Sequence, residues 1–343
     1  MLDERKRRLL YAVVQEYIMS AQPVGSKKLV RRYGLDVSPA TVRNELALLE
    51  ELGFLTHPHT SAGRVPTEKG YRRYVDSLVD IDGLKPAEEK SISQFYSVSG
   101  KEIENLMRET SNFLASITNY MAIVFAPTLR KSFLKHVDLV LMHTQVVLVV
   151  IVTNTGWVAK RILELGEQVE EPDLMNIERI LNERLNGLDL DEIYRRGRLE
   201  LRGLVPGKWT LIERIIDEIV DALKEREHAR VFLDGTANLL RHPEFESLEK
   251  VQQLLEVLEK GYSFLRFVEG VLESDRVIVR IGSENERSEL KECSLIASSY
   301  RAIGGSRGTV GVLGPVRMDY PRAIATVHCI AKNLTFSLES LWS

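Results

Sequence analysis

The sequence predicts a multi-domain α+β chain: a compact helical head joined to a larger body of mixed helices and strands. Three observations carry that expectation. The chain has 343 residues, 44% hydrophobic and 28% charged, which is ordinary globular composition but too long for one core. The first 80 residues carry dense helix punctuation and a basic excess. Further on, β-rich runs at 137–165 and 277–314 enclose a mostly helical middle.

The head reads in order. Leu10, Val13, Val14, Tyr17 and Ile18 form an apolar stripe on a helix from about residue 4 to 20. Gln22-Pro23-Val24-Gly25 ends it. Ser26 is placed as the N-cap of a short second helix with Leu29, Val30 and Tyr33 inward, stopped by Gly34. Ser38 caps a third helix, with Pro39 at its first position, where the missing N–H costs nothing. Val37 and Val42 stand at the positions of a hydrophobic staple. Val42, Leu46, Leu49 and Leu52 form the inner stripe, and Gly53 closes the helix.

Two short helices joined by a tight turn after a longer one match a helix-turn-helix. The outer face of the third helix offers Ser38, Ala40, Thr41, Arg43 and Asn44. Arg can bond a guanine edge with two donors, Asn can pair with adenine, and Thr or Ala can touch a thymine methyl. An exposed polar face in an unrelated helical domain would show the same residue types, so the next segment decides. Phe54 to His57 reads as a strand, Pro58 to Gly63 as a loop and Arg64 to Pro66 as a return strand: a hairpin wing after a recognition helix. From it His57, His59, Thr60, Ser61 and Arg64 can reach phosphate or a minor groove. The pair His57-x-His59 lacks a third ligand nearby, so no metal is expected. Thr67 caps a fourth helix whose Lys69, Arg72 and Arg73 either meet phosphates or simply face solvent.

Charge agrees with this division. Residues 1–75 hold 13 Lys and Arg against 8 Asp and Glu, a net +5, whereas the whole chain carries −3. A basic head on an acidic body suits a polyanion partner for the head.

The body begins after a Gly- and Ser-containing stretch at 81–100. Ile103, Met107, Thr110, Leu114, Ile117 and Met121 form a narrow seam on a helix, available to a partner helix or to intramolecular packing. Val137–Met142, Val146–Val152 and Val158–Leu163 read as an antiparallel meander. Helices are expected at 172–187, 188–197, 208–228 and 244–260, with a short strand at Val231–Leu233. Strands at 277–281, 294–300 and 308–314 and a final helix from Tyr320 to about Ser337 close the chain. The simplest account is one α+β sheet domain interrupted by an inserted helical subdomain.

Enzyme chemistry finds no foothold. Gly304-Gly305-Ser306-Arg307-Gly308 lacks the Lys-Ser/Thr ending of a phosphate loop. Gly308, Gly311 and Gly314 do not make a dinucleotide fingerprint and suit a tight turn into a close-packed strand. The seven His residues are scattered, and Cys293 and Cys329 read as core residues. With two distant cysteines, a disulfide framework is not expected and a reducing cytoplasm is. The longest apolar run, Val146–Val152, is far short of the ~20 residues of a membrane helix, and Met1-Leu2-Asp3-Glu4-Arg5 opens no signal core. No membrane association is expected.

Several segments resemble the HrcA family of heat-inducible transcription repressors: Glu16-Tyr17-Ile18 with Gln22 to Ser26, Ser38 to Glu45, the wing Pro58 to Thr67, and Lys69 to Arg72. Gly235 to Leu240, Gly308 to Pro315 and Arg317 to Tyr320 continue the likeness through the body. The resemblance implies a winged helix-turn-helix at 1–80, a GAF-like domain in two parts at 81–169 and 272–343, and an inserted dimerisation domain at 170–271. It also implies a homodimer on double-stranded DNA at an inverted-repeat operator upstream of chaperone genes, release on heat, and a GroE-type chaperonin that restores the active form. No cofactor is expected. The rival expectation is a winged-helix regulator whose α+β domain binds a small molecule.

Overall fold

The structure is a computed structural model that describes residues 2–34, 36–58, 63–78, 84–97, 103–127, 133–154, 158–166, 168–189, 207–224, 231–245, 276–285, 287–302 and 306–340, with scattered positions at 192–201 and 247–274. Its architecture is mixed α+β, with helices packed on two larger sheets and one short hairpin.

The head folds as its punctuation dictates. Helix α1 (Glu4–Ser20) starts where the Asp3 carboxylate accepts from the Lys6 N–H at 2.9 Å, and ends at Ala21, which takes a left-handed φ of 52°. Leu9, Leu10, Val13 and Val14 are fully buried along it. Helix α2 (Ser26–Tyr33) differs from expectation at its start. Gly25 occupies the N-cap, and Ser26 is the first helical residue and buried. Gly34, at φ +59°, ends it as expected. In α3 (Pro39–Glu51) the Ser38 hydroxyl accepts from the Thr41 N–H at 3.1 Å, Pro39 fills the first turn, and Val42, Leu46 and Leu49 are buried. Leu52 does not join that stripe. The helix stops at Glu51, and the Leu52 side chain is 43% exposed. Strands β1 (Leu55–Thr56) and β2 (Val65–Pro66) pair antiparallel and lead into α4 (Glu68–Val75), capped by Thr67. Gly63 is required where the hairpin returns, because a Cβ there would lie 2.6 Å from the Val24 backbone.

In the body, α5 (Pro86–Tyr96) and α6 (Ile103–Thr118) precede β3 (Met121–Phe125). The expected seam does not run on to Met121. The helix ends at Thr118, Asn119 turns the chain at φ 56°, and Met121 begins the strand. The seam packs within the chain, with Met107, Thr110 and Leu114 buried.

Among the described residues the further α-helices and strands are β4 (Leu134–His143), β5 (Val146–Thr153), β6 (Val158–Glu164), α7 (Glu171–Leu185), α8 (Trp209–Lys224), β7 (Val231–Asp234), α9 (Thr236–Leu239), β8 (Ile278–Ile281), β9 (Cys293–Arg301), β10 (Arg307–Pro315) and α10 (Tyr320–Ser340). An antiparallel five-stranded sheet has the order β7-β3-β10-β9-β8. Both its faces are covered. Ala122, Val124, Ile296, Val310 and Val312 enter a core shared with α5, α6, α10 and the head. Met121, Ile123, Phe125, Leu295 and Leu313 point the other way, against Leu239, Phe245 and Leu290. Gly311 permits the close register, since a Cβ there would meet the Ile296 carbonyl at 2.5 Å.

The expected meander is present, but not in that sheet. Strands β4, β5 and β6 form a separate three-stranded sheet. Its buried side packs on α7 and α8 in a core of its own that includes Val137, Val149, Ile151, Leu181, Ile212 and Ile216. The limits expected at 170 and 271 therefore shift. Residues 134–165, assigned to the first part of the sheet domain, pack with α7 and α8, while β7 and α9, assigned to the insertion, pack on the five-stranded sheet. The physical reason is that strand partners are long-range. An apolar run states that a strand is buried, not which sheet receives it. The helix expected at 244–260, with Leu248, Val251, Leu255 and Leu258, falls mostly outside the described residues, as does most of the one at 188–197.

Candidate nucleic-acid interface

Helix α3 is held from below and bare above. Val42, Leu46 and Leu49 seat it on α1, and Glu45 pairs with Arg5 and, at 3.8 Å, with Lys6 on that helix. Ala40, Arg43 and Asn44 share the opposite face at helical spacing, and all three are exposed. Ser38 is exposed as well but already committed: its oxygen caps the helix and lies 3.0 Å from the Thr41 hydroxyl. Thr41 is half-buried beside it. The structure thus brings the five residues chosen from the sequence to one end of one helix. Three project freely, and two form the cap.

The hairpin is fastened to the far end of α3. The Thr67 hydroxyl donates to the Gly53 carbonyl at 2.7 Å. Lys69 donates to the Leu52 carbonyl at 2.8 Å, with its ammonium 4.7 Å from the centre of the Phe54 ring. Arg64 exchanges two backbone hydrogen bonds with Val24, at 2.8 and 2.9 Å. Its guanidinium meets Glu50 at 2.7 Å, and His57 contacts the other oxygen of the same carboxylate. His59, Thr60 and Ser61, chosen from the sequence with them, lie outside the described residues.

Glu50 was not singled out from the sequence. Its only sequence signal is an acid on the third helix within reach of a hairpin that carries Arg64 and His57. Glu16 was missed likewise. It is fully buried in α1, where Lys28 at 2.6 Å and Arg32 at 3.0 Å reach down to it from α2. The pairing offsets the cost of burying a carboxylate and fixes the angle between the two helices. Lys27 and Arg31 on α2 remain exposed.

The basic residues of α4 divide differently from the sequence reading. Arg72 docks the head on the body. It donates to Glu284 at 2.7 Å and to the Val279 carbonyl at 2.7 Å. Burial raises the Glu284 carboxyl, but Arg72 and the Ile281 N–H outweigh that and hold it below the usual carboxylate range. Glu68 contacts Ser283 alongside. Arg317 completes the junction from the body side, donating to the Ile18 carbonyl near the end of α1 at 2.9 Å and to Glu244 at 2.7 Å. A cation on the last carbonyls of a helix complements its dipole.

Comparison with known proteins settles the family. The family model described as the HrcA protein C-terminal domain matches residues 104–324, more than half of the chain. The chain belongs to the HrcA family. Full-length HrcA relatives agree. The heat-inducible transcription repressor HrcA of Natranaerobius thermophilus is 40% identical over 338 residues, covering 98% of this chain and 97% of that one. The protein of the same name from Moorella thermoacetica is 39% identical, covering 99% of each chain. A crystal structure described only as that of a hypothetical protein matches with a TM-score of 0.73 and 28% identity, covering 99% of this chain and 100% of that one. As an HrcA protein, the chain is a transcriptional repressor of heat-shock genes. Among the described residues no helix is long and apolar enough to cross a membrane.

Proposed function

We propose that the chain represses by binding double-stranded DNA as a homodimer through an N-terminal winged helix-turn-helix. The observation that carries this reading is the exposed Ala40, Arg43 and Asn44 face of α3, anchored below by Val42, Leu46 and Leu49. Helix α3 enters the major groove, Arg43 and Asn44 read base edges, and Ala40 and Thr41 supply small apolar contacts. His57, His59, Thr60, Ser61 and Arg64 lie along the backbone or in the minor groove. The body then comprises a GAF-like unit built on the five-stranded sheet and an inserted unit of β4–β6, α7 and α8.

Two copies of one chain present two α3 helices, which suits an inverted repeat. The open face of β4–β5–β6 supports the dimer. Val140 is 46% exposed, Met142 55%, Val158 45% and Ile162 71%. Exposed apolar side chains grouped on one sheet face mark an interaction surface. The operator lies upstream of chaperone genes, heat releases the protein, and a GroE-type chaperonin returns it to the active form in the cytoplasm.

The test is a footprint on an inverted repeat upstream of chaperone genes at two temperatures, with wild type and Arg43→Ala. Protection at the lower temperature only, lost or relaxed by Arg43→Ala, supports the reading. Undiminished affinity in Arg43→Ala overturns the assignment of α3.

A further inference from the structure

The base of the wing carries an arrangement with no evident place in simple phosphate binding. Glu50 sits on α3, on the side of the hairpin, 24% exposed. One of its oxygens takes Arg64 at 2.7 Å and the other takes His57. A carboxylate so near a phosphate backbone repels it, so on charge alone this residue opposes DNA binding. Both of its partners, however, are side chains expected to meet the backbone. The Arg64 main chain is already pinned to Val24, and Lys69 and Thr67 hold the last carbonyls around the end of α3. Glu50 therefore completes a rigid block of recognition helix, hairpin base and the Arg64 and His57 side chains. Within that block the Arg64 Nε–H is buried with no partner. The guanidinium is thus held by its outer nitrogen on Glu50 and by the packing around it.

We propose that Glu50 is a positioning residue for DNA recognition: it sets the wing's Arg64 and His57 relative to α3, raising discrimination for the operator while lowering affinity for DNA in general. The physical basis is preorganisation. A free arginine loses rotamer freedom when it docks, and a fixed one has lost it already. Only a site whose backbone follows the fixed geometry gains from this, whereas random DNA meets the extra negative charge without the benefit. The inference rests on the DNA-binding reading above.

The experiment measures anisotropy of the full-length protein on an operator duplex and on a random duplex of equal length, across a salt series. Glu50→Gln keeps the shape and removes the charge. The expected result is tighter binding to the random duplex and a ratio of operator to random affinity lower by about fivefold, the upper end of what a surface ion pair supplies. In an Arg64→Gln, His57→Gln background, Glu50→Gln is expected to leave the ratio unmoved, because the groups it acts through are gone. Glu50→Asp keeps the charge at shorter reach, so random-duplex binding stays at the wild-type level while the ratio still falls. The proposal is overturned if Glu50→Gln raises both affinities equally, if the drop persists in the double background as a general loosening of the head would make it, or if Glu50→Asp is indistinguishable from wild type. Arg43→Ala separates the two failures. If it leaves operator affinity unchanged, the DNA-binding reading falls and this inference with it. If it weakens operator binding while Glu50→Gln leaves the ratio fixed, only the positioning role is lost.

Discussion

The two larger sheets are built from similar residues and meet opposite fates. In the five-stranded sheet every residue of β3 is buried, and in β10 every residue after Arg307 is. In the three-stranded sheet β5 alternates, with Val147, Val149, Ile151 and Thr153 buried and Val146, Leu148, Val150 and Val152 only partly covered. Yet β5 is a nearly uninterrupted run of Val, Leu and Ile, as apolar as β3. Apolarity on the second face of a sheet with helices on one side is surplus to the monomer's own core. A soluble sheet usually marks its outer face with polar residues, and this one does so only in part, with Asp138, Lys160 and Glu164. The difference separates a sheet covered on both faces from one with apolar side chains exposed on one face.

The largest effect that would break this contrast comes from one charge placed on each sheet. Val312 is fully buried in the five-stranded sheet. Val312→Asp strands an unpaired carboxyl there and should cost about 4 kcal/mol or more, enough to leave the chain aggregated or unfolded. Ile162→Asp alters a residue that is 71% exposed. It should change monomer stability by no more than about 0.5 kcal/mol. If the open face joins two copies, however, sedimentation should shift from dimer to monomer, because a two-fold axis repeats the charge on both sides. A dimer that persists in folded Ile162→Asp removes the open sheet as its seat.

This contrast also marks how far the sequence could be read. The head was legible nearly to the residue because its signals are local. The cap at Ser38, Pro39 behind it, Gly34 and the Thr67 cap each act within a few positions. The strands were legible one at a time for the same reason. Their grouping was not. Nothing within 137–165 states that the meander pairs only with itself, and nothing within 231–234 states that β7 adds to the edge beside β3. Contacts that join distant segments, such as Arg72 with Glu284, are invisible for the same reason, so the sequence left Arg72 open between phosphate and solvent.

That junction supplies the next effect in size. Arg72→Ala removes the guanidinium that Glu284 and the Val279 carbonyl share, leaving Glu284 only the Ile281 N–H among the donors named here, and should lower stability by about 1–2 kcal/mol, measured by thermal melting at neutral pH. The pH dependence sharpens it. Glu284 has a depressed carboxyl in the folded protein, so its contribution is present above the unfolded value of about 4.3 and is lost as pH falls through the lower folded value. The melting gap between wild type and Arg72→Ala should therefore be open at pH 7 and narrow below about pH 4. A gap that stays constant down to pH 3 would assign the loss to packing alone.

The smallest effect is an expected absence of reaction, and it tests the closed sheet from within. Cys293 begins β9 and is 1% exposed, and burial pushes its thiol up to about 12, with the Glu292 charge adding to the shift. The thiolate is the species that alkylates, so at pH 8 the residue should be almost entirely in the inert form as well as out of reach. Cys329 is half-buried on α10, with its thiol raised by burial, and serves as the internal comparison. Iodoacetamide on the native protein, followed by peptide mapping, should leave Cys293 unmodified while denaturant exposes it fully. Labelling of Cys293 in the native state at the rate of Cys329 would mean that the five-stranded sheet opens far more readily than its two covered faces allow. The contrast between a closed sheet and an open one would then be one of degree.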